Sequence, residues 1–227
     1  MAKLKKKTLD ELDLEILAIL HYKCKATATD LEKELEGKIT KAGISKRLKW
    51  LAEKGYLEKP INDISTGKLK RIYKAPDREK LKEAFLEWFR VEIYEDVINS
   101  LYSEEKAQEL RKELPPEEAY KENQITSLSF TPAKTLRKLR EGISLEEAVN
   151  MFKVELNMEY PYSELFNHEI TGLIAVKNGT VKLTKEGLEA VINEWIPEIK
   201  DKLTELRELD PEAYKKLLSE FCKDLAT

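Results

Sequence analysis

The amino-acid sequence predicts a mainly α, α+β protein, and three observations carry that expectation. Apolar residues recur at three- and four-residue steps through most of the chain, the period of an amphipathic helix. Two stretches, Tyr56–Ile61 with Lys68–Lys74 and Leu173–Leu183, read instead as β-hairpins around turn-rich centres. With 41% hydrophobic and 37% charged residues over 227 positions, the chain can bury one large or two modest cores and is not of disordered composition. No apolar run is long enough to span a bilayer, and no signal-type apolar segment follows the basic start, so a cytoplasmic protein without membrane attachment is expected. Cys24 and Cys222 fit no metal spacing and read as reduced thiols. The Lys and Glu content is thermophile-like.

Taken in order, Met1–Lys7 is a basic arm able to follow a phosphate backbone. A first helix is expected from about Leu9 to Tyr22, with Leu12, Ile16, Leu17, Ile19 and Leu20 on its apolar face. Thr29 would cap a short helix, Asp30–Leu35, which Gly37 ends. Thr40 would cap a third helix whose stripe is Ile44, Leu48 and Leu51, stopped by Gly55, although Gly43 inside it should cost about 1 kcal/mol relative to Ala. Asn62, Asp63, Ser65, Thr66 and Gly67 then turn a hairpin. This order of helix, short helix, turn, helix and hairpin is that of a winged helix-turn-helix.

The segment Ile44-Ser45-Lys46-Arg47-Leu48-Lys49-Trp50-Leu51, followed by Lys54-Gly55-Tyr56-Leu57, resembles the recognition helix and wing start of the MarR, ArsR and PadR groups of winged-helix regulators. The resemblance spans roughly residues 9–76 and departs from the simplest pattern in the longer Glu36–Lys38 link. It implies a helix laid in the major groove, where residues near its N-terminal end face base edges. On this sequence the DNA-contacting residues would be Thr40, Lys41, Ser45, Lys46, Arg47 and Lys49 from the helix, with Lys68, Lys70 and Arg71 from the wing. Charge distribution agrees with that expectation. Residues 1–76 hold 18 Lys and Arg against 11 Asp and Glu, or +7, leaving −10 in the remainder (22 against 32). Winged helices also serve as protein-docking modules, and Asp63 at the wing tip is a small argument for that alternative.

After Pro76 the character changes. Asp77 caps an expected long helix reaching about Glu113, with Leu81, Ala84, Phe85, Trp88, Val91, Tyr94, Ile98 and Leu101 at mostly helical steps. By the same resemblance, Leu81, Phe85, Trp88 and Val91 would form a dimerisation surface, the alternative being an ordinary core helix. Residues 115–126 read as a linker or surface loop. Helices are then expected at Pro132–Arg140, at Ser144–Leu156 (capped by Ser144 with Glu147) and at Tyr162–Ile170. Asn178-Gly179 makes a hairpin of 173–183, and Thr184 caps a further helix that passes Pro197. Asp210-Pro211 starts a last one, through Leu218 and Phe221. This half resembles a second, degenerate winged helix, with a four-helix arrangement holding an inserted hairpin as the alternative. Its would-be reading helix carries Glu164, Asn167, His168 and Glu169, with no Lys or Arg between Lys153 and Lys177, so protein is the expected contact.

Nothing points to catalysis. His21 and His168 are the only histidines, His21-x-x-Cys24 lacks a second ligand pair, and there is no glycine-rich phosphate loop. The sequence therefore leads to three units: a DNA-binding head at 1–76, a dimerisation or interdomain helix at 77–114, and an acidic helical domain at 123–227. The expected function is that of a sequence-specific double-stranded-DNA-binding transcriptional regulator. It would act as a homodimeric repressor without enzyme activity, metal or cofactor, and the acidic domain would engage a protein partner or small ligand. The alternatives are a tandem winged-helix interaction scaffold and a plasmid-type replication or partition protein.

Overall fold

The computed structural model describes residues 8–64, 69–101 and 103–225, with the side chains of 101 and 220–225 left aside. The basic arm Met1–Lys7 and the wing residues Ser65, Thr66, Gly67 and Lys68 lie outside the described residues, as do the side chains of Leu101, Phe221 and Cys222. The protein is mainly helical, with two small antiparallel sheets of three strands each.

The first unit is built as α1 (Glu11–Lys23), β1 (Lys25–Ala26), α2 (Ala28–Glu34), α3 (Lys41–Glu53), β2 (Ile61–Asp63) and β3 (Lys70–Lys74). Capping sets its boundaries. Asp10 accepts the Asp13 N–H at 2.9 Å while Asp13 reaches back to the Asp10 N–H, so α1 starts two residues later than apolar periodicity alone suggests. Thr27 and Asp30 form the same reciprocal pair at α2, and Thr27 replaces Thr29 as its cap. Thr40 caps α3 as expected. Gly43 is explained by packing: a Cβ there would meet Cγ1 of Ile39 at 2.7 Å, and the missing side chain lets Ile39 fold onto the core. The wing pairs β2 and β3 antiparallel, with Asn62 opposite Arg71, and β1 adds to the other edge of β3 with Ala26 opposite Tyr73. The first wing strand begins only after Pro60, which has no N–H to give a ladder.

The middle helix is not a single rod to Glu113. α4 (Arg78–Phe89) runs through one π-helical stretch (Arg90–Tyr94) into α5 (Glu95–Leu101), and α6 (Glu104–Glu113) then folds back. The π stretch widens the turn, its hydrogen bonds joining residues five apart, so that Phe89 and Tyr94, at that spacing, enter the same buried cluster with rings 6.5 Å apart. The return of α6 is fixed by Arg111 to Glu95 at 2.6 Å and by the Tyr94 hydroxyl donating to the Leu114 carbonyl, also at 2.6 Å. Residues 115–126 are not a linker: Pro115-Pro116 begins α7 (Pro116–Ser129), since a proline at the first helical position gives up no hydrogen bond.

The second unit repeats the first. α8 (Ala133–Glu141), β4 (Ile143–Ser144), α9 (Leu145–Val154), α10 (Pro161–Ile170), β5 (Ile174–Lys177) and β6 (Thr180–Leu183) follow in the same order. The strand order β4-β6-β5 likewise matches β1-β3-β2, so the hairpin of this half belongs to a three-stranded sheet, as that of the first does. Asn178 and Gly179 turn the hairpin with φ of 52° and 74°. α11 (Lys185–Leu209) continues through Pro197, and α12 (Pro211–Leu225) follows it after Asp210.

Candidate nucleic-acid interface

Helical geometry divides α3 into two faces. Ile44, Leu48 and Leu51 are fully buried, and the opposite arc presents Thr40, Lys41, Ser45, Lys46 and Lys49 to solvent. Lys70 and Arg71 are exposed on the neighbouring strand of the wing, and Lys25 pairs with Lys74 across β1 and β3 to extend the basic rim. Sequence reasoning left Lys25 and Lys74 out because neither lies on the reading helix; the strand alternation from Lys70 to Lys74 was the signal that placed Lys74 outward. Acidic groups temper the surface at two points. Glu53 lies 3.7 Å from Lys49, an exposed and weak pair, and Asp63 stands opposite Lys70 in the wing ladder. Glu32 accepts the Lys41 N–H at 2.7 Å, a bond from α2 to the first turn of α3.

Arg47 does not belong to this surface. Its guanidinium turns inward to Asp10 at 2.7 and 2.8 Å and to Asp13 at 2.7 Å, so it ties α3 to the start of α1. Asp13 is fully buried there. Burial by itself would push Asp10 up, but the bonds from Arg47 and from the Asp13 backbone outweigh it and hold the carboxyl below its ordinary value. A buried carboxylate binding a guanidinium in this way is an anchor, and Arg47 has little left to offer a phosphate.

The dimerisation residues are corrected as well. Leu81 and Phe85 are each 1% exposed and complete the core of the first unit, so neither can reach a second chain. Trp88 is half-buried and Val91 is 39% exposed, both on the walls of a surface hollow.

The counterpart of α3 in the second unit is α10, and it faces the first unit. Tyr162 and Phe166 pack into the core beneath α1, with Phe166 4.9 Å from Phe85 and 5.0 Å from His21. Glu15 of α1, 2% exposed, accepts the N–H groups of Tyr162 and Ser163 at 3.2 and 2.7 Å. It thus caps the first turn of α10 from another unit, where Tyr160 supplies no cap of its own. Burial pushes the Glu15 carboxyl up to about 7, against the opposing effect of those bonds. Around this core the Tyr22 hydroxyl donates to Glu169 at 2.8 Å, Arg78 pairs with the same carboxylate at 3.5 Å, and Tyr162 donates to Glu34 at 2.7 Å. α10 is therefore spent on this chain's own first unit, through apolar packing and the Glu15 cap rather than through its charge.

On its other side α10 carries a buried polar cluster. Glu164 accepts from Ser127 at 2.7 Å and lies 3.3 Å from His168 Nε2; burial opposes its ionisation, yet these bonds and that of Asn167 carry its carboxyl down to about 2. His21 sits half-buried against Phe166, and burial lowers its pKa. Cys24 is exposed, and no group of three His, Cys, Asp or Glu side chains placed to hold a metal occurs among the described residues. Among the described residues no helix is long and apolar enough to cross a membrane. No protein-family model, curated protein or solved structure matches this chain.

Proposed function

We propose that the chain binds double-stranded DNA through α3 and the first wing and acts as a dimeric, sequence-specific transcriptional regulator, most simply a repressor occupying a promoter. The observation that carries this reading is the outward arc of α3. Lys41, Ser45, Lys46 and Lys49 are all exposed on one face, beside Lys70 and Arg71, while every apolar residue of the helix stripe is buried. A major groove admits one such helix, and its phosphate rims favour a lysine-lined flank. α10, held against α1, leaves one reading head per chain, so a two-fold site calls for two chains.

The test is binding to random duplex DNA at about 50 and 200 mM salt. A protein neutralising 6–10 phosphates loses roughly 10³–10⁵ in affinity across that range. Lys41→Ala, Lys46→Ala and Lys49→Ala combined should weaken binding to every sequence and flatten the log–log salt slope by about 3. Absence of binding at the lower salt, or an unchanged slope in the triple variant, would overturn the reading in favour of a tandem interaction scaffold.

A further inference from the structure

The acidic half of the chain, −10 over residues 77–227, gathers positive charge in one place. α8 carries Lys134, Arg137, Lys138 and Arg140 against a single carboxylate, Glu141. Thr135, Leu136 and Leu139 are buried, so helical geometry turns the basic residues to the opposite arc. The second wing extends it. Ile143 of β4 pairs with Val181 of β6, which sets Lys182 beside Gly142 at the end of α8. A Cβ on Gly142 would stand 3.9 Å from Cδ of Lys182, so the lysine stem passes over the helix end that follows Arg140. Lys177 lies opposite Thr180 on the same exposed face of the hairpin. Lys138 is spent on Glu155 at 3.0 Å, but Arg137, Arg140, Lys177 and Lys182 have no ion pair among the described residues. Within α8 the like charges recur at three- and four-residue steps, an arrangement that destabilises a helix until counter-charge covers it.

We infer that α8 and the second wing form a sequence-independent contact for the phosphate backbone of duplex DNA, in addition to α3 and the first wing. The sign of the partner follows from the uncompensated charge, and its kind from the side chains. Arg137 and Arg140 present guanidinium forks that match phosphate oxygens, and Asn178 and Thr180, exposed on the hairpin, are neutral donors of the sort that accompany them along a backbone. No large apolar side chain is exposed on α8, β5 or β6, so the face is built neither as a lipid anchor nor as an apolar docking groove. Such a contact adds salt-dependent affinity and reads no bases. The inference rests on the proposed function for its ligand, duplex DNA, but shares none of its residues.

The experiment is the salt titration on random duplex DNA with two full-length variants of equal net charge. The patch variant combines Arg137→Gln, Arg140→Gln and Lys182→Gln; the control combines Lys106→Gln, Lys112→Gln and Lys200→Gln on α6 and α11. All six residues are exposed, so circular dichroism should report an unchanged fold. The patch variant should flatten the log–log slope by about 3 for each chain bound. Its loss of affinity between about 50 and 200 mM salt is then roughly 40-fold smaller than the parent's, and the control should match the parent. An unchanged slope in the patch variant, or an equal change in the control, would overturn the inference; flattening in the Lys41, Lys46 and Lys49 triple variant would still uphold α3. Flattening in the patch variant with none in that triple variant would uphold this inference and overturn the role of α3. Poly-glutamate of matched charge that displaces duplex from the parent as well as unlabelled duplex does would make the partner an acidic protein and overturn the phosphate assignment. Absence of binding by the parent at the lower salt would overturn both readings.

Discussion

Removing the Arg47 guanidinium would leave the Asp13 carboxylate, fully buried, without the cation that makes its burial tolerable. Breaking such a pair from one side costs several kcal/mol; because Arg47 keeps 21% of its side chain exposed, Arg47→Ala should lower stability by about 3 kcal/mol, the low end of that range. Urea unfolding followed by circular dichroism measures it, and Lys46→Ala, on the solvent arc, should fall within about 0.5 kcal/mol of the parent. Two carboxyls, Asp10 at the Arg47 anchor and Glu15 at the α10 cap, respond oppositely to pH. Asp10 is held below its unfolded value of 3.8, so its contribution is present above that pH and is lost as pH falls through the lowered value. Glu15 is raised from 4.5 to about 7, so the folded protein binds the proton more tightly and stability declines as pH rises between those values, by about 3 kcal/mol in all. Glu15→Gln should remove that decline, and a pH series of urea midpoints that stays parallel to the parent would refute the assignment. Arg47 was partly legible beforehand. It lies three residues after Ile44 and four before Leu51, at the margin of the buried stripe, and only its polarity suggested an outward role.

At the scale of elements, the helices and turns were legible where a cap or a glycine marks them. Thr40, Asp77, Ser144 and Thr184 each cap the helix that their spacing announces. The breaks were not. Nothing local distinguishes a continuous helix at 78–113 from two helices folded together, because the reversal is fixed by Arg111 reaching Glu95 and by Tyr94 reaching Leu114, contacts 16 and 20 residues apart. Gly187 is a case where the spacing carries a further consequence. Its N–H bonds to Thr184 at 2.8 Å, and a Cβ at 187 would stand 2.1 Å from the Leu173 carbonyl oxygen, a backbone atom that cannot step aside. Gly187→Ala should therefore destabilise the second unit by about 2–4 kcal/mol even though alanine is the better helix former. Gly43→Ala meets side-chain rather than backbone atoms, Cγ1 and Cδ1 of Ile39 at 2.7 and 2.9 Å, and should cost less, the loss being that of Ile39 packing on the core. Thermal melts of the two variants check the contrast.

For the whole molecule, what the sequence could not reveal is which faces are spent inside the chain. Composition marked α10 as unfit for a phosphate groove, but its seat against α1 rests on pairs about 147 residues apart, Glu15 with Tyr162 and Tyr22 with Glu169. The same packing consumes Leu81 and Phe85, so the dimer surface expected on them cannot form there. The described structure leaves one apolar stripe uncovered at helical spacing: Ile192, Ile196 and Ile199 of α11, respectively 40%, 40% and 53% exposed. Leu203 and Leu206 continue it at the same four- and three-residue steps, half-buried, and Leu218 of α12 is 37% exposed. Steps of four and three repeat every seven residues, which is the seam that helices use to pair. α11 is fixed at its base to α7, where the Trp195 indole donates to the Ser129 carbonyl at 2.9 Å, so the stripe belongs to the second unit and includes no residue of α3. A homodimer formed along it would leave both α3 helices free, as the proposed function requires. Ile196→Asp with Ile199→Asp, both at exposed positions, should then convert a dimer to a folded monomer in sedimentation velocity. That monomer should bind random DNA with the salt slope per head unchanged but lose its advantage for a two-fold site, since the second head no longer binds as an intramolecular event. A parent chain that sediments as a monomer at every concentration would remove the dimer from the proposal and leave a single head, whose specificity would have to come from α3 and its wing alone.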